Sequence, residues 1–591
     1  MSVSFLPGWL KRCVCLMSVV ALLFVAAGCA QLSMPDSGGV NGKNASRQDN
    51  KSEEMQDEPF GSYLAAQHAQ ANRDIAAAAN YFQEALKEDP ENIVLLKRTF
   101  PLLVSNGQMK EAIALAARLE TLGVEDNLAR LVLVLNDIKD VKYNLARERL
   151  ARIGDVGLYG LLQPFLLGWM LADEGSYPEV KAVLAAPLEE KVFMSFRRYH
   201  AALLFDVAAF TTLAEENYSL ALSEKGQVGI RAVEAFGDFL TRQGKYKEAR
   251  QLYQNYLDIV PDNAVLQAAM EKVRHAEATH GRQLDNPPQF FATNAQQGIG
   301  ELFHSVALAL MQDKVRGTAV LYLQIAKYMR PDLTASQMLL GQAFELSDYP
   351  EGALSVYLSL MDDPVYGLQS RLRIAWVLEQ QGREEEAIAA FRALHKDYPD
   401  RQDVLTGLGD LYRGQKKYEA AVAAYSNAID LISSPQESSW GLFYTRGISY
   451  ERLGQWPLAE ADLLQALSLR PEQPHVMNYL AYSWIEQGQN FEEARNMLYR
   501  AVALRPNDGY IVDSLGWALF KLGEMSQAVE VLEKAVLLQP DDWTINDHLG
   551  DAYWAVGRQA EARFQWRHAI SLDPEDADRQ KLIDKIENGY R

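Results

Sequence analysis

The sequence predicts an all-α solenoid of about fourteen helix–turn–helix units in two sub-arrays, and three observations carry that expectation. The first is a rhythm of prolines. Pro331, Pro364, Pro399, Pro435, Pro471, Pro506, Pro540 and Pro574 are separated by 33, 35, 36, 36, 35, 34 and 34 residues. The second is the phrase in which most of them sit, an apolar stretch, then Pro, then Asn or an acid: AVALRPN, AVLLQPD, AISLDPE. Proline has no amide hydrogen, so it suits a position just past a helix end. The third is a set of small residues at fixed offsets between the prolines. From Gly509 to Asp542, Leu515 and Gly516 fall in the middle of a first helix and Gly523 in the turn. Ala528, Leu532 and Ala535 share a face of a second helix that Pro540 closes. Gly and Ala let the two helices approach, and the larger residues fill what remains.

The next unit repeats this with Leu549–Gly550, Tyr553, Gly557, Ala562, Trp566, Ala569 and Pro574. The preceding one does so with Leu480–Ala481, Gly488, Ala494, Ala501 and Pro506, after one inserted residue near Asn490. The pattern resembles the tetratricopeptide-repeat (TPR) family, a superhelical solenoid fold. In that register units start at 300, 334, 368, 402, 440, 474, 509 and 543, and an earlier array starts near 59, 93, 127, 161, 195 and 230. Ala78, Phe82, Ala85 and Pro90 mark its first unit. Phe236–Gly237, Gly244, Tyr246, Ala249, Tyr253 and Pro261 mark its last. Residues 93–229 are degenerate and are read by spacing.

At 591 residues the chain exceeds a single-core domain, a limit that a solenoid escapes because each unit packs on its neighbours. With 78 acidic against 58 basic residues the net charge is −20, which argues against nucleic acid as a partner. Residues 1–28 read as a signal peptide. Lys11 and Arg12 precede the apolar run CVCLMSVVALLFVAAG, whose sixteen residues fall short of the roughly 20 that a membrane span needs. The run ends at VAAGC and resembles the bacterial lipobox, with Ala26 where that motif usually has Leu. The resemblance implies lipidation of Cys29, and Ala30–Gln31 behind it imply retention at the outer membrane, on its periplasmic face. Of three cysteines, Cys13, Cys15 and Cys29, only Cys29 would survive cleavage, which suits an oxidising compartment. Residues 29–58 are then the lipid anchor and a polar tether with a reach of roughly 30 Å.

The template places an N-terminal array at 59–262 and fails over 263–299. There Val265, Leu266, Ala269, Met270 and Val273 predict a helix to about Thr279, followed by RQLDNPPQFFATNAQQG. Pro287–Pro288 forbids a helix, so the expected boundary between sub-arrays lies here. Phe290 and Phe291 in that polar loop either dock on the adjacent helix pair or occupy part of a groove. The C-terminal array covers 300–574, with a longer turn through SSPQESS. Residues 575–591 read as a capping helix with Leu582, Ile583 and Ile586 on one side.

No HExxH, GxSxG or GxxxxGK[ST] signature is present, and the nine histidines are scattered, so no catalytic residue, metal site or cofactor is expected beyond the lipid. Binding remains. The TPR resemblance implies a concave face lined by the first helices, presenting the residue after each Leu–Gly pair and the one four earlier. Those positions give Asp513 with Trp517, Asp547 with Asp551, Asn478 with Tyr482, and Tyr444; Trp554 falls on a nearby stripe. Such a groove is aromatic and acidic, suited to an apolar or basic segment of a partner, unless the same side chains are inter-repeat packing.

Anchor, tether and repeats together resemble the large outer-membrane TPR lipoproteins of Gram-negative bacteria. Among these the chain looks most like adaptors that bind and activate a periplasmic carboxyl-terminal processing protease. That resemblance implies two protein partners, the serine protease and its cell-wall hydrolase substrates, and a role in peptidoglycan remodelling. The alternatives are an assembly or pilot lipoprotein for a secretion or pilus system, or an activator of a cell-wall synthase.

Overall fold

The computed structural model describes residues 59–154, 157–185, 193–223, 229–261, 263–279 and 289–590. The signal segment, Cys29, the tether and Pro287–Pro288 lie outside the described residues. Among these residues there are thirty α-helices, one short 3-10 turn and no strand. Six helix pairs come first: α1 Pro59–Ala71 with α2 Ile75–Glu88, α3 Ile93–Ser105 with α4 Met109–Thr121, α5 Asn127–Lys139 with α6 Tyr143–Leu150, α7 Leu158–Asp173 with α8 Tyr177–Leu184, α9 Met194–Val207 with α10 Thr211–Ser223, and α11 Ile230–Arg242 with α12 Tyr246–Leu257. A single helix follows, α13 Ala264–Ala278. Then come α14 Ala295–Gln312 with α15 Arg316–Met329, α16 Thr334–Leu346 with α17 Pro350–Ser359, and α18 Gly367–Gln380 with α19 Glu384–Asp397. The last pairs are α20 Gln402–Gly414 with α21 Tyr418–Asp430, α22 Trp440–Arg452 with α23 Trp456–Leu469, α24 Pro474–Glu486 with α25 Phe491–Leu504, α26 Gly509–Lys521 with α27 Met525–Leu538, and α28 Trp543–Ala555 with α29 Gln559–Ser571. The closing helix is α30 Asp576–Asn588. The fourteen pairs fall in the predicted register; the largest departures are starts at 295 for 300 and 158 for 161.

One contact recurs and explains the period. In six of the repeats a glycine in the first helix faces a bulky side chain sixteen positions later in the second. A Cβ built on Gly237 would lie 2.1 Å from Tyr253, on Gly409 2.5 Å from Tyr425, on Gly516 2.6 Å from Leu532, and on Gly550 2.4 Å from Trp566. Only glycine permits that approach, and the bulky partners are themselves fully buried. The intra-repeat turn needs a left-handed residue. Gly523 and Gly557 supply it at φ 85° and 84°, whereas Lys416 and Asn490 adopt it at 58° and 48°.

The described residues part into two compact units, one ending at Val377 and one beginning at Leu378. The boundary expected at 263–299 is therefore displaced. The reason is that α14 and α15 return onto the first array: α14 packs on α5, α7 and α9, and α15 on α3. Gly298 of α14 lies so close to Trp169 of α7 that a Cβ there would sit 1.9 Å from the indole. Gln324 Nε2 donates to the Ser105 carbonyl at 3.2 Å, and Tyr328 OH to Asn136 Oδ1 at 3.0 Å. Glu301, fully buried, accepts from Arg231 of α11 and, at 2.8 Å, from Arg330 beyond α15. The two phenylalanines part company. Phe291 is buried beneath the Arg231 guanidinium, 4.1 Å from its ring centroid, while Phe290 is exposed under Arg242. The inner face of the first array is thus filled by the chain itself, by α14, α15 and the end of the loop that precedes them.

Candidate binding face of the second unit

In the second unit the first helices α22, α24, α26 and α28 present the eight residues singled out by sequence, and they divide into two groups. Tyr444, Asn478 and Tyr482 are half-buried, and both tyrosines rest against the unit's core. Tyr444 meets Tyr479 edge-on at 6.1 Å and 89°, and Tyr479 OH donates to Glu451 at 2.9 Å. Asn478 Oδ1 is shielded from water and finds no donor. A shielded carbonyl oxygen without a donor costs about 1–3 kcal/mol. Burial, with Glu486 and Asp513 nearby, pushes the Tyr482 hydroxyl above its usual range, so it stays a neutral donor.

The other five residues are engaged. Trp517 is 7% exposed, stacks on His548 at 4.0 Å and on Phe520 at 5.0 Å, and donates its indole N–H to Glu486 at 2.6 Å. Asp513 is buried and lies 3.0 Å from His548 Nδ1 through both oxygens. Burial opposes protonation of that imidazole, but Asp513, with Asp547 and Asp551 behind it, outweighs burial and raises the His548 pKa. Asp551 is 1% exposed and accepts from Trp566 Nε1 at 3.0 Å. Lys585 of α30 donates to Asp547 at 2.6 Å and to Asp551 at 2.8 Å. Trp554 packs on Trp566 at 5.6 Å and under Gly589, where a Cβ would lie 2.0 Å away. Asp513, Trp517, Asp547, Asp551 and Trp554 therefore do not form an open groove. They are inter-repeat packing, completed by the C-terminal segment.

Three participants escaped the sequence reading. His548 is the partner of both Asp513 and Trp517, and it sits four residues before Ala552 on a face that spacing alone does not mark as polar. Tyr479 neighbours a predicted position. Lys585 lies between Leu582 and Ile586 on the capping helix, and that apolar flank was the available sign that it turns inward. Among the described residues no cluster of metal-ligating side chains occurs, and no helix is long and apolar enough to cross a membrane.

Comparison with known proteins agrees with the repeat. A family profile for the C-terminal domain of cilia and flagella-associated protein 70 matches residues 304–583. A TPR repeat-containing protein of Pseudomonas aeruginosa is 26% identical over 162 residues, covering 27% of each chain. The general transcriptional corepressor ssn6 of Schizosaccharomyces pombe is 29% identical over 132 residues, 22% of this chain and 12% of its own. The chain thus spans about a quarter or less of the length of these curated relatives. Among solved structures, a tetratricopeptide repeat protein from Parabacteroides merdae superposes with TM-score 0.36 at 17% identity, covering 43% of this chain and 99% of its own. The APC/C hetero-tetramer Cut9–Hcn1 gives 0.38 at 14% identity, covering 91% and 97%. The fourteen helix pairs and the recurring glycine-to-bulky-residue contact give this chain the fold of a tetratricopeptide-repeat solenoid.

Proposed function

We propose that the protein is a lipid-anchored periplasmic scaffold that holds and activates a carboxyl-terminal processing protease against cell-wall hydrolases. A TPR array serves as a protein-interaction scaffold, and the observation that carries the reading is where such a surface remains free. The first unit's inner face is filled by α14 and α15. The second unit keeps a half-buried stripe of Tyr444, Asn478 and Tyr482. Aromatic side chains ringed by polar groups are the usual anchors of a protein interface. Cys29 and the polar segment behind it supply the anchor and tether, and the resemblance to outer-membrane adaptor lipoproteins supplies the protease. Tethering raises the effective concentration of protease and substrate, and preferential binding of the active protease shifts its population.

The test is stimulation of peptide hydrolysis by a purified carboxyl-terminal processing protease. The scaffold should accelerate turnover while hydrolysing nothing alone, and Tyr444→Ala with Tyr482→Ala should abolish the acceleration while helicity is unchanged. A scaffold that leaves the protease rate untouched would remove the adaptor reading. Cys29→Ala should release the protein from membranes and end fatty-acid incorporation; continued membrane fractionation with acylation would refute the anchor.

A further inference from the structure

The end of the chain contributes more than a cap. Helix α30 buries Leu582, and Arg563 Nε holds the Ile586 carbonyl at 3.0 Å. Past Asn588 the backbone turns at Gly589, φ 82°, under the Trp554 ring. This turn carries Tyr590 back across the last complete repeat to Phe520 of the repeat before it, edge-on at 5.6 Å. Lys585 meanwhile seats its ammonium between two carboxylates and lies 5.4 Å from the Tyr590 ring. An ammonium and an aromatic ring five residues apart thus occupy the acidic, tryptophan-lined face of two successive repeats, continuous with the stripe that begins at Tyr444.

We infer that residues 585–590 are an intramolecular occupant of a docking site on the last two repeats, whose partner is a protein segment carrying a Lys or Arg and an aromatic side chain at similar spacing. The inference rests on the scaffold reading and adds to it a gate: that part of the face opens only when the strap leaves. The chemistry of the occupant argues for the chemistry of the partner. Asp547 and Asp551 demand a cation, and Phe520 and Trp554 offer apolar surface to a ring. The strap is suited to exchange because Tyr590 is only half-buried, on a glycine turn beside Phe520 and Lys585, and because linkage to the chain gives it the advantage of effective concentration. An incoming segment therefore competes against a local copy and not against the fold.

The experiment uses the full chain and, as probe, a synthetic peptide with the sequence of residues 580–591, labelled for fluorescence anisotropy. Wild type should bind it weakly. Lys585→Met with Tyr590→Ala should bind it at least about tenfold more tightly, and deletion of 589–591, which leaves the cap in place, should give part of that gain. In the opened background Asp551→Asn, or a peptide with Glu at the Lys585 position, should return affinity to the wild-type level. An opened chain of unchanged circular dichroism that binds no better than wild type overturns the inference, as does equal binding of the Glu peptide. Since no protease enters this assay, such a failure with protease stimulation intact would remove the strap alone, whereas lost stimulation with peptide exchange intact would remove the adaptor reading alone.

Discussion

The two units are built from the same repeat and use its first-helix face in opposite ways. In the first, that face is filled by two helices of the same chain and locked by a buried Arg231–Glu301–Arg330 triad. In the second, no helix of the unit covers the half-buried stripe of Tyr444, Asn478 and Tyr482, and a six-residue segment packs at its end. The repeat consensus dictates only how the two helices of a unit meet. What lies on the inner face is decided by a handful of non-consensus positions, and these distinguish structure from binding surface.

The contrast is most sharply broken at Glu301. Glu301→Ala leaves two arginines facing each other inside the first unit, and removing one partner from a buried ion pair costs about 3–5 kcal/mol. Chemical denaturation should show the transition of the first unit lowered by that amount, with that of residues 378–591 unmoved. Trp517→Ala is the matching probe of the second unit. Because the indole is buried and bonded to Glu486, the substitution should cost about 3 kcal/mol of stability, and loss of folding rather than loss of binding is its primary effect.

The pH dependence should sharpen the contrast further, because histidines in the two units are tuned in opposite directions. His200 and His304 are buried without partners for His200 Nδ1 and Nε2 or His304 Nδ1. Burial pushes their pKa values down to about 3 and about 4. In the unfolded chain they titrate near 6.5, so the unfolded state takes up protons first as pH falls. The first unit should lose about 2 kcal/mol per histidine between pH 7 and pH 5. His548 is raised by Asp513 despite burial. Its contribution is fully present below the unfolded value of about 6.5 and is lost as pH rises through the higher folded value. Stability of the second unit should accordingly decline on the alkaline side. His548→Gln should flatten that slope, and His200→Gln should flatten the acid slope of the first unit, as followed by thermal unfolding across pH. The smallest expected effect is at Tyr444 and Tyr482: each Ala variant should change stability by less than about 1 kcal/mol, while weakening partner binding by more than that.

The register of the fold was legible in the sequence because the proline period and the sixteen-residue offset from glycine to a bulky residue are local. Gly516 and Leu532 can be paired from spacing alone. The return of α14 and α15 was not legible, because the contacts of Gly298 with Trp169 and of Glu301 with Arg231 join residues more than sixty positions apart that share no pattern. The same reason explains the candidate site. Position within the repeat put Tyr444, Asn478 and Tyr482 on the first-helix face, but it could not reveal that Lys585, thirty-four residues beyond Asp551, completes the acidic pair. Apolar flanks on a helix predict burial, and they do not predict which charge comes with them.

The central claim is that partners are held by the first-helix face of the second unit around Tyr444 and Tyr482, the first being filled by its own chain. A hydrogen-exchange footprint of the full-length protein with a carboxyl-terminal processing protease tests it most directly. In the free chain, amides of α14 should already be strongly protected. Binding should add protection chiefly across residues 440–486 and leave α3–α9 unchanged. New protection across α3–α9, accompanied by deprotection of α14, would contradict the account, since the partner would then have taken the place that α14 holds.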